Sequence, residues 1–145
     1  MFQKYFSLWS RENLLSKAFK RTVKMLEYDR EMFEAAAHAL RRTNSSKTSI
    51  DIYERDKKIN KYEREVRRNV LTHLSIAGKR DFVPGLSLVS IVIDVERIGD
   101  YTKNIGDLAR DHPKQLQADH YERPLSKLEK EISDRFGGFE AILID

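Results

Sequence analysis

Between Glu96 and Asp107 the chain reads ERIGDYTKNIGD, which puts a carboxylate or an amide at Glu96, Asp100, Asn104 and Asp107. Residues three and four apart are neighbours on a helix surface, so these side chains share one flank. Like charges at that spacing cost a helix ~0.2–0.5 kcal/mol per pair. A related row occurs upstream, where Asp56, Asn60 and Glu63 interrupt the apolar stripe of Ile52, Ile59, Val66, Val70 and Leu74. If the two segments are adjacent helices, the rows face each other across a groove. Oxygen donors so arranged suit hard or borderline cations such as Mg, Mn, Ca or Fe, and such a cation would relieve the repulsion. Two readings need no metal: exposed acids keep a helix solvated, and Arg97 and Lys103 can neutralise the row.

Other chemistries find no support. The absence of cysteine excludes disulfides, zinc knuckles and thiol catalysis, and points to a reducing cytoplasm. The Glu-x-x-His pair of di-iron bundles is missing, and Glu34 to His38 has the wrong spacing for it. There is no Gly-rich phosphate loop and no nucleophile elbow, so no enzyme is expected. His73 reads as a core histidine with a partner, Arg97 as a partner of Asp94 or of a second-helix acid, and Gly99 as a site of close helix packing. The net charge of +4 makes nucleic acid or an acidic membrane surface conceivable. However, the basic residues in ERDKKINKYEREVRR alternate with acids, so a solvated face is expected and no nucleic-acid partner.

Long helices must position the two rows. Six glycines and three prolines in 145 residues leave few places to turn. The periodicity predicts a first helix from Arg11 to Arg41, capped by Ser10, with Leu15, Phe19, Val23, Leu26, Phe33 and Leu40 on one stripe that weakens at Asp29 and Arg30. Thr48 with Asp51 forms a capping-box signal for a second helix, stopped at Ala77 by Gly78. A third runs from Leu86 to Asp111, with Leu88, Ile91, Val95, Ile98, Thr102, Ile105 and Ala109 on one side and Pro113 beyond its end. A weaker fourth spans Tyr121 to Phe136, with Gly137-Gly138 as a break or kink. Short connections make the long helices antiparallel neighbours. The expected fold is all-α: an up-down-up three-helix bundle over residues 1–113, and a fourth helix within 114–145 that begins a second repeat or serves dimerisation.

The segment DVERIGDYTKNI resembles the signature of the PhoU family, whose third helix reads as a variant of D-L-E-R-I-G-D-x-x-x-N-I. The match takes in Asp94, Glu96, Arg97, Ile98, Gly99, Asp100, Asn104 and Ile105. DKKINKYEREV resembles the family's second-helix stretch through Asp56, Ile59, Glu63 and Val66. The resemblance extends over residues 10–111 as one three-helix repeat. It implies a cytoplasmic bundle whose paired E(D)-x-x-x-D motifs hold multinuclear metal clusters, with iron favoured and Mn or Mg as alternatives. Carried over by position, Glu96 and Asp100 are the third-helix ligands and Asp56 belongs to the second-helix motif, where Asn60 replaces the expected second acid. Glu63 and Asn104 complete the expected metal-binding set.

The resemblance also implies a regulator of phosphate homeostasis that restrains Pst-type uptake and signals to the phosphate sensor kinase. The expected partners are therefore a phosphate transporter ATPase, the sensor kinase, or both, with membrane contact at most peripheral. Family members usually carry two tandem repeats. A single repeat is expected to be half of a longer protein, or to form a C2 homodimer. The rival expectation is a metal-free helical scaffold that binds partners through its fourth helix or its aromatic start, MFQKYFSLWS.

Overall fold

In the computed structural model, which describes residues 13–77 and 79–144, the chain forms α1 (Leu14–Arg42), α2 (Ile52–Ala77), α3 (Phe82–Asp111) and α4 (Glu122–Ile144). Short 3-10 turns at Lys79–Asp81 and Asp119–Tyr121 precede α3 and α4. The first two helices begin on a polar residue that their own sequence supplies. Asn13 Oδ1 accepts from the Ser16 N–H at 2.8 Å, satisfying a donor that the first turn of α1 leaves free. Asp51 Oδ1 does the same for Glu54 at 3.0 Å. Thus Asp51, and not Thr48, caps α2; the Thr48 hydroxyl instead donates to the Ile50 carbonyl at 2.6 Å. The expected cap at Ser10 and the expected stop at Gly78 lie outside the described residues.

α3 starts one turn earlier than the sequence pattern predicts. Pro84 falls in its first turn, where a missing N–H costs nothing, so the proline initiates the helix and does not exclude it. The stripe of α3 agrees with the predicted one at Leu88, Val95, Thr102 and Ala109, which are buried, and departs from it in between. Val92 and Gly99 are buried, whereas Ile91 is 42% exposed and Ile98 is half-buried. Glycine carries no apolar signal, yet here it marks the seam. A Cβ on Gly85 would meet Leu74 at 3.0 Å, one on Gly99 would meet Ile59 at 3.2 Å, and one on Gly106 would meet Ile52 at 2.8 Å. Each glycine of α3 therefore receives an aliphatic side chain of α2, in antiparallel register.

One core joins the three helices. Leu15, Met25 and Met32 of α1, Ile59, Val66 and Val70 of α2, and Leu88, Val92 and Val95 of α3 are buried together. α1 runs antiparallel to α2, as the stacked Tyr28 and Tyr62 rings (centroids 5.9 Å apart) and the Arg55–Glu31 ion pair show. It runs parallel to α3, with Asp29 opposite Gly99 and Ala39 packed near Ala109. The arrangement is the expected up-down-up bundle.

α4 lies antiparallel along the C-terminal half of α1, with Phe136 6.0 Å from Phe33. Arg41, almost fully buried, holds its near end: Nη2 donates to Glu122 at 2.6 Å, Nε to Glu129 at 2.7 Å and Nη1 to the Leu116 carbonyl at 3.1 Å. The Leu116 N–H in turn satisfies the Leu40 carbonyl at the end of α1. Gly137 and Gly138 do not break α4, which continues to Ile144. A Cβ on either glycine would meet nothing within 4 Å, so no close approach demands them. Among the described residues, no helix is long and apolar enough to cross a membrane.

Candidate metal centre

The antiparallel register of α2 and α3 brings the two polar rows together at mid-bundle. Asp56 and Glu63 of α2 lie near enough to Glu96 and Asp100 of α3 to raise the affinity of Glu96 for a proton. Burial contributes most to that upward shift, followed by Asp100, Glu63 and Asp56, with Lys103 opposing. The Lys103 ammonium bridges the helices, donating to Asp100 Oδ1 at 2.8 Å and to Asp56 Oδ2 at 3.2 Å. Asp56 is only 13% exposed, and Lys103 26%, so this ion pair is shielded from bulk water. The two carboxylates hold the ammonium in its charged form, the Asp100 hydrogen bond contributing most.

The six residues expected to bind metal do not share one position. Asp56, Glu63, Glu96 and Asp100 are mutually placed as described above. Asn60 is half-buried on α2, one turn on from Asp56. Asn104 is exposed, and no hydrogen bond ties it to the group. Asp107 accepts from the Tyr53 hydroxyl and pairs with Arg110, further along the seam. Arg97 pairs with Asp94 at 3.4 Å on the exposed side of α3. His73 is buried and paired with Asp81 at 2.7 Å, the partnered core histidine the sequence suggests. That contact occupies Asp81, which precedes α3 but makes no side-chain cap.

The structure adds a residue that the sequence pattern discounts. Asp29, where the α1 stripe weakens, is fully buried, and neither carboxylate oxygen has a hydrogen-bond partner. Its Oδ1 lies 2.9 Å from where a Cβ on Gly99 would sit, directly against the α3 backbone between Glu96 and Asp100. Burial, reinforced by the charges of Asp56 and Glu96, pushes its pKa up to about 9. A buried ionised carboxylate without a partner is strongly disfavoured, so at neutral pH Asp29 holds a proton. The only hint in the sequence is an acid at a core position, which reads equally as a break in the stripe.

The donors present are carboxylate oxygens on three helices, the chemistry that hard cations require. The Lys103 ammonium stands where a cation between Asp56 and Asp100 would stand. No three carboxylates or histidines among the described residues are close enough to share an ion. Lys103 also lines, with Gly106, Arg110 and residues 46–53, an adjoining cavity of about 440 Å³, which gives its side chain room to withdraw.

No curated protein and no solved structure matches the chain. The family model described as the PhoU domain matches residues 22–109, which span the core of α1, all of α2 and nearly all of α3. The match covers more than half of the chain and includes every residue of the acidic groove, so the chain belongs to the PhoU family, a family of phosphate-homeostasis regulators.

Proposed function

We propose that this chain is a PhoU-type regulator whose α2–α3 groove takes up a divalent or trivalent cation in exchange for the Lys103 ammonium. The observation that carries the reading is the Lys103 bridge itself. The groove already holds a positive charge between Asp56 and Asp100, and burial with the charges of Asp100, Glu63 and Asp56 raises the proton affinity of Glu96. Glu96, Asp100, Asp56 and Glu63 would hold the ion, with the Asn60 amide oxygen as a neutral donor. The bound cation would supply charge neutralisation and a crosslink between two helices, both of which set the surface shown to partners. Those partners are a phosphate transporter ATPase, the sensor kinase, or both, in the cytoplasm. A C2 homodimer belongs to the same reading; Leu128 and Phe139, half exposed on α4, are apolar side chains that a second copy could cover.

The Lys103 pairing favours one rival, a metal-free scaffold in which the ammonium is the permanent counter-ion. Elemental analysis and Mn²⁺ titration of the purified protein separate the two. Metal at one or more equivalents, lost in a Glu96→Ala/Asp100→Ala double variant that keeps its helical circular dichroism, supports the regulator reading. Protein that takes up neither iron nor manganese supports the scaffold.

A further inference from the structure

The end of the bundle where α2 leads into α3 differs from the rest of the surface in both polarity and charge. From Phe82 to Ile93, the first turns of α3, no side chain is charged. Among the described side chains, the four most exposed large aliphatics are Ile76, Leu71, Val83 and Leu86, at 79%, 65%, 62% and 53%, and Phe82 beside them is half exposed. The buried residues of these turns are Pro84, Gly85, Leu88 and Val92, so the core does not account for Val83 and Leu86. Apolar side chains gathered in water at one place mark a surface that something else covers.

The same end is cationic. The turn between the two helices begins with Lys79 and Arg80, both exposed. Arg68 is exposed on α2, and the Arg21–Glu65 ion pair sets Lys17 and Lys20, exposed on the first turns of α1, about level with it. No acid occurs from Val66 to Arg80 or from Asn13 to Lys24. The nearest acids in sequence are already engaged, Glu63 with Arg67, Glu65 with Arg21 and Asp81 with His73. Among the described residues no carboxylate pairs with Arg68, Lys79 or Arg80.

These apolar side chains do not line one groove. At about 100° per residue, Leu71 and Ile76 stand about 140° apart around α2, on opposite flanks of the tip. A partner helix laid on one flank would leave the other in water, whereas a fluid apolar phase covers both. An apolar tip ringed by unpaired cations matches the boundary between acyl chains and anionic headgroups.

We propose that the α2–α3 end of the bundle docks on an anionic lipid surface, with Ile76, Phe82, Val83 and Leu86 entering the headgroup boundary and Arg68, Lys79 and Arg80 meeting the lipid phosphates. Docking requires nothing of the acidic groove, so it holds whether or not that groove takes up a cation. The groove at mid-bundle and the Arg41 grip on α4 at the opposite end stay in water.

The test uses the full chain and vesicles of equal parts phosphatidylcholine and phosphatidylglycerol. Wild-type protein should sediment with them, bind less at high salt, and bind pure phosphatidylcholine at least about tenfold more weakly. Val83→Asp/Leu86→Asp should lose at least about tenfold in partitioning while keeping its helical circular dichroism, and so should Lys79→Glu/Arg80→Glu. The chain has no cysteine, so Val83→Cys accepts a single environment-sensitive fluorophore. Its emission should shift to the blue on the vesicles, while the same label on Tyr101→Cys, about five turns along the same face of α3, should not respond. Wild-type protein that stays in solution, a Val83 label indifferent to bound vesicles, or tip variants that bind like wild type would overturn the proposal. Self-association by light scattering that Val83→Asp/Leu86→Asp abolishes, without vesicle binding, would give the tip to a second copy instead.

Discussion

Asp29 is a buried carboxyl with a strongly raised proton affinity, and its consequence can be read without any metal. Its carboxyl titrates near 3.8 in an unstructured chain and near 9 in the fold, because burial and the facing acids Asp56 and Glu96 penalise its charged form. Between those values the unfolded chain has released a proton that the native state retains. Stability must then fall as pH rises through that window, with a limiting slope of about 1.4 kcal/mol per pH unit from this group. Glu96, also shifted upward, contributes in the same direction. Urea unfolding in the presence of a chelator, from about pH 5 to pH 8, should show wild type losing stability relative to Asp29→Asn, whose amide cannot ionise. Parallel pH profiles would mean that Asp29 is not protonated in the native state.

Among the helices, α4 differs from the rest in how it is held. α1, α2 and α3 share a single core, whereas α4 is held chiefly by α1, through the Phe33–Phe136 contact and the three-way grip of Arg41. Removing the guanidinium leaves Glu129, 14% exposed, with only the exposed Arg42 as counter-ion and frees the Leu116 carbonyl that closes the loop before α4. Arg41→Met should therefore release α4 while sparing the bundle. Amide hydrogen exchange would show faster exchange across residues 122–136 and unchanged protection in the centres of α1, α2 and α3. Uniform loss of protection would instead make α4 part of the common core.

At the scale of the whole molecule, the groove lies where α1, α2 and α3 converge, so anything that binds it acts on the entire bundle. A cation that binds only the folded groove adds about 2.7 kcal/mol at a hundred times its dissociation constant. Calorimetry should accordingly show one transition for α1–α3 that moves to higher temperature with Mn²⁺. The shift should vanish in the Glu96→Ala/Asp100→Ala variant. A transition indifferent to Mn²⁺ in wild type would favour the scaffold, with Lys103 as resident counter-ion.

Much of this protein was legible in its residues. Helical spacing of the aliphatic positions dictated α1, α2 and α3, scarce glycine and proline dictated their length, and the ERIGD segment marked the acidic flank. Asp56, Glu63, Glu96 and Asp100 were identifiable because i, i+3 and i+4 spacing alone puts acids on a common flank. Pattern failed where a residue's meaning depends on its neighbour across the interface. Gly99 and Gly106 form the α2–α3 seam because Ile59 and Ile52 need the space, which a hydrophobic stripe cannot register. Lys103 looked like one of two available cations until the register set it between Asp56 and Asp100. Asp29 looked like a flaw in a stripe, since periodicity records polarity but not what stands opposite. Only the packing of α1 onto Gly99 turned that flaw into a buried, unpartnered carboxylate beside the groove, because burial and partnership are properties of three helices together and of none alone.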